Sequence, residues 1–501
     1  MSRSKSTAGL ALAICLLSPG AARAKSEEDV HTLRLCDDVS DPAGLDPHFV
    51  FDNKTDDILN QIYEGLVRFD VEGRIVPALA ERWESIDARS IRFFLRKNVK
   101  FHNGENLEAR VIAASLKREL SGNSPLTGQI AGIENVFGES KYVLVIRTRE
   151  PDALLLRRLA SFARIVPLSM SQSTAPFSPE AIPVGTGPFR FGSWEKGKRL
   201  ILEANPASWR GKPYFDRVVF EFIPEDKQIE ALAQGKVDLL TEVPGTKTLA
   251  IAQVNGLEIF KDKTLSTPAF WFTSLRGPLA DIRVRQALNL AVDKNELIRY
   301  AAMGNGTPIA TLSMPGEVGH NPRLTPYPYD PARSRRLLKE AGYPKDFKLR
   351  ILAVQQSERD AKIIKAQLQA IGVVAELASV SIADGFRIVS EGKLRNYDLT
   401  ANLAPDPIGH MAFLSGVCFF SLSPMSAGGV PGFDERYKRL LLTQDVEKHK
   451  DMAEEFDRWI YDQSWGIFTY QRIRTYGISS RIRLESQLTG MLDLASAGVR
   501  Q

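Results

Sequence analysis

Cysteine is scarce in this chain: Cys15, Cys36 and Cys418 are the only three among 501 residues, and no two stand in a Cys-x-x-Cys spacing. That excludes a dithiol redox motif and the paired-cysteine ligand sets of structural zinc. Long apolar runs are also missing. The run at residues 8–17 falls short of the roughly 20 residues a helix needs to cross a bilayer, and no later segment is long and apolar enough. Charge of one sign is not concentrated, since 65 Lys and Arg against 60 Asp and Glu leave a formal +5 spread along the chain without a basic block. A nucleic-acid reader gathers its basic residues on one face or stripe, so no nucleic-acid partner is expected. Neither a G-x-S-x-G elbow nor an H-E-x-x-H pair occurs, and His31, His48, His102, His320, His410 and His449 never fall at i, i+4 spacing. Sequence-local catalysis is unsupported, and neither a cofactor nor a resident metal is called for. A hydrolytic triad assembled from distant residues stays open as the competing class.

What is there suits a globular chain. Hydrophobic residues make up 44% of the sequence, enough for a sizeable core, and the length suggests two to four folding units. The first residues read as a secretory signal: Arg3 and Lys5, the apolar run, Pro19-Gly20, and an Ala22-Arg23-Ala24 exit with cleavage expected after Ala24. Ile14 stands where a small residue would precede a lipidated Cys15, so the signal reads as unlipidated and points to a Gram-negative periplasm. Only Cys36 and Cys418 then remain; two buried free thiols is the reading, and a single disulfide is the alternative.

Strand and helix periods alternate along the chain. Residues 32–36 alternate as a strand, and Asn53 stands as N-cap of a helix whose Ile58 and Ile62 recur at helical spacing. Residues 83–86 and 91–95 flank a turn, Val111, Ala114 and Leu116 mark a helix, and 141–147 alternate again. Asp281 precedes a helix with Val284, Ala287 and Leu288 on one face. Asp330 as N-cap, Pro331 at N1 and Gly342 as stop delimit the clearest helix, and 363–371 followed by 373–377 reads as helix then parallel strand. Residues 192–198 (GSWEKGK) match the start of a phosphate loop, but Arg199 stands where Ser or Thr must bind magnesium. A hairpin turn between two alternating segments is the better reading.

Residues 184–194 read VGTGPFRFGSW. Gly185 and Gly187 permit positive φ, Pro188 fixes φ and donates no hydrogen bond, and Phe189, Arg190 and Phe191 alternate as a half-buried strand. Eight companion segments surround it in a set order. Upstream stand YEGLVRFD at 63–70, PALAERW at 77–83 and FFLRKNVKFHNG at 93–104. Downstream stand YFD at 214–216, GKVDL at 235–239, DIRVRQAL at 281–288, YDPARSRRLLKEAGY at 329–343 and YDL at 397–399. In this order the chain resembles the family 5 solute-binding proteins of ABC importers, the peptide and nickel binders, over nearly all of its length after the signal.

The resemblance implies an α/β fold of two lobes, the large type II-like periplasmic-binding-protein architecture (cluster C) with an inserted subdomain. Lobe I would comprise 25–68, 179–268 and 472–501, the insert 69–178, and lobe II 269–471. Two chain crossings, at 266–272 and 470–476, would serve as hinges. The function implied is that of a monomeric periplasmic receptor, closing over a small-molecule or peptide ligand and delivering it to an inner-membrane ABC permease.

The same resemblance supplies site candidates. Residues 404–410 read APDPIGH and match the family's Asp-Pro loop, which implies that Asp406 offers a carboxylate to a peptide's amino terminus. A buried carboxylate needs a cationic or multi-donor partner, which a ligand ammonium supplies. The structural alternative is that Asp406 opens a turn before Pro407. The tryptophan-rich lead-in of the family is replaced here by Thr400, Ala401, Asn402 and Leu403. An arginine for the ligand carboxylate is absent from 351–356, leaving Arg359 on the following helix as substitute or as a solvated side chain. His410 raises a metal chelate as runner-up ligand, with an oligosaccharide beside it, or else a hydrogen-bonded loop histidine. Phe51, Asn53 and Trp271 match cleft-lining positions and equally suit core or cap.

Overall fold

The computed structural model describes residues 31–36, 41–50, 53–122, 124, 126–178, 180–273, 275–485 and 487–500. The expected signal segment and Phe51 lie outside them, and so does the side chain of Asn53, which begins the helix Asn53–Ile62.

Leu33 and Leu35 alternate inward along Thr32–Cys36, which makes this a central strand of the largest sheet. It pairs in parallel with Arg217–Glu221 on one side and Leu239–Leu240 on the other. The sheet runs Leu257–Lys263, Tyr470–Ser479, Leu239–Leu240, Thr32–Cys36, Arg217–Glu221, Arg199–Ala204, Phe189–Glu195, and Gly306–Pro308 pairs alongside Tyr470–Ser479. Ile58, Leu59 and Ile62 of the first helix fill its core together with Phe189, Phe215 and Tyr476. Arg199–Ala204 and Phe189–Glu195 form the antiparallel hairpin read from the sequence, with Glu195 opposite Arg199. A strand follows where a phosphate loop would open a helix.

The signature turn corrects the sequence reading of its glycines. Neither Gly185 nor Gly187 has positive φ. They are required for space: a Cβ on Gly185 would stand 2.0 Å from the carbonyl oxygen of Ile62, and one on Gly187 would stand 2.3 Å from that of Gln61. The turn lies against the C-terminus of the first helix, where no side chain fits.

A four-stranded antiparallel sheet, Ala80–Asp87, Ser90–Leu95, Val143–Thr148 and Ile133–Ser140, lies wholly inside 69–178. Helix Ala109–Glu119 covers it through Val111, Ile112 and Leu116. A short helix, Leu155–Ser161, follows the sheet. A five-stranded sheet runs Val374–Val380, Lys348–Val354, Leu399–Pro405, Ser266–Phe272, Gly466–Ile467. Its first three strands are parallel, and helix Glu358–Ala370 joins Lys348–Val354 to Val374–Val380 as the helix-then-strand pattern requires. Asp281 caps Ile282–Leu290 by accepting from the Arg283 amide, and Asp330 caps Pro331–Glu340 by accepting from the Arg333 amide.

The chain passes between the large and five-stranded sheets at 264–265 and again at 468–469, so 266–272 and 470–476, read as hinges, are strands that begin just after each passage. The two passages are stitched together. Thr469 Oγ1 donates to the Pro268 carbonyl at 2.7 Å and faces Thr267 Oγ1 at 3.3 Å, while the Thr264 amide donates to Arg472 O at 3.3 Å. Adjacent linkers of this kind confine relative motion to a few dihedrals.

One apolar cluster spans both halves, packing Leu126, Leu154 and Phe162 with Leu265, Trp271, Met411, Phe433 and Trp465. Cys418 belongs to this cluster, whereas Cys36 lies in a separate one with Leu232 and Ile251. Both thiols are free and buried, so no disulfide joins them. No helix among the described residues is long and apolar enough to cross a membrane.

Candidate functional site

The loop after strand Leu399–Pro405 returns to helix Ala412–Phe419 by winding around one carboxylate. Asp406 Oδ1 accepts from the amides of Ile408 at 2.9 Å and Gly409 at 3.1 Å, and Oδ2 accepts from the His410 amide at 2.6 Å. The Asp406 amide donates to Leu265 O at 2.7 Å, which anchors the loop beside the first passage between sheets. Asp406 is 0% exposed. It therefore organises a turn, as the structural alternative held, and does so with three charge-assisted bonds.

A second carboxyl lies against it. Glu317, 7% exposed, follows the Met314-Pro315-Gly316 turn, close enough to Asp406 for the charge of one to disfavour that of the other. Burial pushes Asp406 up to about 6, and burial followed by the neighbouring Asp406 pushes Glu317 well above the carboxylate range. Glu317 Oε1 has no hydrogen-bond partner. Nearby, Asp457 is also raised to about 6 by burial, opposed by bonds from Thr311 Oγ1 at 2.6 Å and Ser313 Oγ at 2.7 Å.

Arg157, on helix Leu155–Ser161, meets this loop from the other side. Its Nη1 reaches the carbonyls of Ile408 at 2.8 Å, Gly409 at 3.2 Å and Gly73 at 3.3 Å. Gly409, at φ +63°, keeps the approach open, since a Cβ there would stand 3.1 Å from Arg157 Nη1. Leu488 packs over Gly73 and Gly316, and its carbonyl accepts from the Leu265 amide at 3.1 Å. Gln471 Nε2 donates to Thr264 O at 3.2 Å and Pro315 O at 3.4 Å, leaving its Oε1 without a donor.

The remaining sequence candidates are dispersed. His410, 1% exposed, accepts at Nδ1 from the Ala412 amide at 3.1 Å, so its proton sits on Nε2 and is donated to His449 Nε2 at 2.8 Å. His449 in turn donates from Nδ1 to Thr443 O at 3.1 Å. Both rings are neutral and both nitrogens of His410 are used, which leaves no lone pair for a metal. Trp271 is a core residue, 1% exposed, with its indole N–H donated to Met425 O at 2.8 Å. Arg359 is exposed on the face of Glu358–Ala370. Arg157, Glu317 and Gln471 escaped the sequence reading. The one local signal was an acid directly after a Pro-Gly turn at Glu317.

Residues 74–414 match the family model described as "Bacterial extracellular solute-binding proteins, family 5 Middle". The chain belongs to this family. Among curated relatives, heme-binding protein A of Haemophilus influenzae is 28% identical over 77% of this chain and 78% of its own. The dipeptide-binding protein of Escherichia coli is 28% identical over 72% of this chain and 74% of its own. Among solved structures, NikA from Brucella suis in complex with Fe(III)-EDTA superposes with a TM-score of 0.84 at 21% identity, over 94% of this chain and 100% of that one. A likeness at that identity speaks for the fold alone, and the fold is that of a family 5 solute-binding protein.

Proposed function

We propose that this family 5 protein is a periplasmic receptor of an ABC importer, capturing a small amine-bearing ligand, a peptide above all, between its lobes and presenting the closed form to an inner-membrane permease. It acts as a monomer secreted by cleavage after Ala24, and as a receptor and not a catalyst. Lobe I is assigned to 25–68, 179–268 and 472–501, the insert to 69–178 and lobe II to 269–471.

The observation that carries the ligand class is the acceptor-rich centre at the lobe junction. Asp406, Glu317 and Gln471 offer oxygens there, and two of these, Glu317 Oε1 and Gln471 Oε1, lack donors. A ligand ammonium brings three donors and a positive charge to such a place. The relative named for dipeptides supports the peptide reading. His410, with both nitrogens spent, speaks for no metal chelate, and Trp271 and Arg359 have no part in the proposal. Moving a two-state closure from 1:99 to 99:1 takes about 5.5 kcal/mol of differential ligand affinity.

Native mass spectrometry of gently purified protein, followed by denaturation and identification of what is released, tests this reading. A released peptide supports it. A metal complex or a sugar sends the protein to another branch of the family, and turnover of added peptides makes it a hydrolase.

A further inference from the structure

We propose that His449 is a positioning residue of the ligand site: through His410 it holds the loop that carries Asp406, and it does so only while a single proton bridges the two rings. This rests on the reading of an amine-bearing ligand at Asp406 given above.

Three hydrogen bonds run in one direction through the pair. The Ala412 amide donates to His410 Nδ1 at 3.1 Å, His410 Nε2 meets His449 Nε2 at 2.8 Å, and His449 Nδ1 meets Thr443 O at 3.1 Å. Both ends are backbone groups of fixed role, since an amide only donates and a carbonyl only accepts. His410 must therefore carry its hydrogen on Nε2, and His449 must carry its own on Nδ1 and accept at Nε2. No other pair of tautomers makes all three bonds.

This relay ties the ligand loop to two helices. Thr443 follows helix Phe433–Leu442, and His449 lies in the first turns of Val446–Gln463, where its amide donates to Asp445 O at 2.8 Å. His410 ends the loop that starts at Asp406, and its amide supplies the 2.6 Å bond to Asp406 Oδ2. Val318 braces the same loop, its amide donating to Gly409 O at 3.0 Å and its carbonyl accepting from the Met411 amide at 3.1 Å. If the His410 ring leaves His449, the donor that orients Oδ2 moves with it. Both rings are buried, so water does not replace a broken bond.

The relay has no place for a second proton. Its two lone pairs, on His410 Nδ1 and His449 Nε2, each accept one of the three bonds, and protonation of either breaks that bond. Arg157 and Arg158 oppose the added charge from helix Leu155–Ser161, with Arg158 paired to Asp152 at 2.9 Å. On the loop side stand Asp406, bonded to the His410 amide, and Glu317, the residue before Val318. Asp445, which caps the helix of His449, accepts from the Lys448 amide. Burial, chiefly, pushes both rings below the ordinary histidine range. Rings lowered in this way take up protons more readily once released, so the held loop gives way as pH falls below about 6.5.

Calorimetry with tri-alanine at pH 7.5 and 5.0, together with long-range proton–nitrogen spectra of protein carrying nitrogen-labelled histidine, tests the relay. Without ligand at pH 7.5, His410 should carry its hydrogen on Nε2 and His449 on Nδ1, and the second signal should vanish in H449Q. H449L, which leaves the His410 N–H unpaired, should bind tri-alanine about tenfold more weakly at pH 7.5, as one buried donor without a partner costs. H449Q, whose amide keeps a donor and an acceptor, should recover most of that loss. Toward pH 5.0 the wild type should lose affinity more steeply than H449Q, since the titration of Asp406 is common to both. If H449L fails to fold, the tautomers and the comparison with H449Q still decide. A His449 hydrogen on Nε2, wild-type affinity in H449L, or parallel pH profiles for wild type and H449Q overturns the relay and leaves the amine reading intact. If the wild type binds no tri-alanine at pH 7.5, the amine reading falls and the positioning role with it.

Discussion

His102 holds Gly187 through one ring nitrogen, Nε2 donating to its carbonyl at 3.0 Å, while Nδ1 accepts from the Gly185 amide at 3.3 Å. A single neutral imidazole thus spans the turn that identifies the family. Protonation of Nδ1 would break the second bond, and burial already pushes the ring down to about 4. A histidine whose folded pKa lies below its unfolded value of about 6.5 takes up its proton more readily when unfolded, so stability falls as pH drops from about 6.5 toward 4. Between pH 7.5 and 4.5 this single ring should cost about 2 kcal/mol. Urea unfolding of H102Q, whose amide keeps one donor and one acceptor, should show that much less acid loss than the wild type. Identical pH profiles would remove His102 from the account.

Gly185 admits no side chain because the carbonyl oxygen of Ile62 occupies the Cβ position. Backbone cannot rotate away as a flexible side chain does, so Gly185→Ala should destabilise by about 3 kcal/mol or more, at or beyond the upper end of ordinary overpacking. The denaturant midpoint reads this directly. An unshifted midpoint would mean that the turn can lift off helix Asn53–Ile62 at no cost.

Asp406 now has two tasks that substitution can separate. Asp406→Asn retains Oδ1 as acceptor for Ile408 and Gly409 but loses the charge, whereas Asp406→Ala abandons all three amides. Both should weaken tri-alanine by about 2–5 kcal/mol if the ammonium pair is buried. Both should also lose thermal stability, the alanine variant more, by about 1–3 kcal/mol for buried amides left unpaired, since Asp406→Asn leaves only the His410 amide facing a donor. Melting temperatures equal to that of the wild type for both variants would show that the loop does not depend on this carboxylate.

Arg157 joins the helix Leu155–Ser161 and the turn at Gly73 to the loop at Ile408 and Gly409. Arg157→Met keeps the apolar stem and removes every one of these bonds. The ligand-free variant should populate a more open form, with a larger radius of gyration by small-angle scattering, and should lose about 1–3 kcal/mol of stability. Unchanged scattering would deny Arg157 a role in closure.

Much of the framework was legible from local pattern. Asp330 with Pro331 and Gly342 delimited a helix because caps and stops act within one turn of chain. Leu33 and Leu35 marked a central strand through two-residue alternation. The glycines of the signature were recognised but given the wrong cause, since a close approach to another element leaves no mark in the residues beside it. The hinge segments were displaced by a few residues for a related reason: strand pairing at Ser266–Phe272 and Tyr470–Ser479 depends on partners elsewhere in the chain.

The sequence by itself determined the family, through the order of short segments, and the alternation of helices and strands, through periodicities set by backbone geometry. It also singled out Asp406. Only the tertiary structure decided what surrounds that carboxylate. Glu317, Arg157 and Gln471 reach it from separate segments, His410 turns away toward His449, and Trp271 enters the core. The physical reason is that helix and strand propensities are written by near neighbours, whereas burial, shared protons and counter-charges arise from residues that only packing brings together.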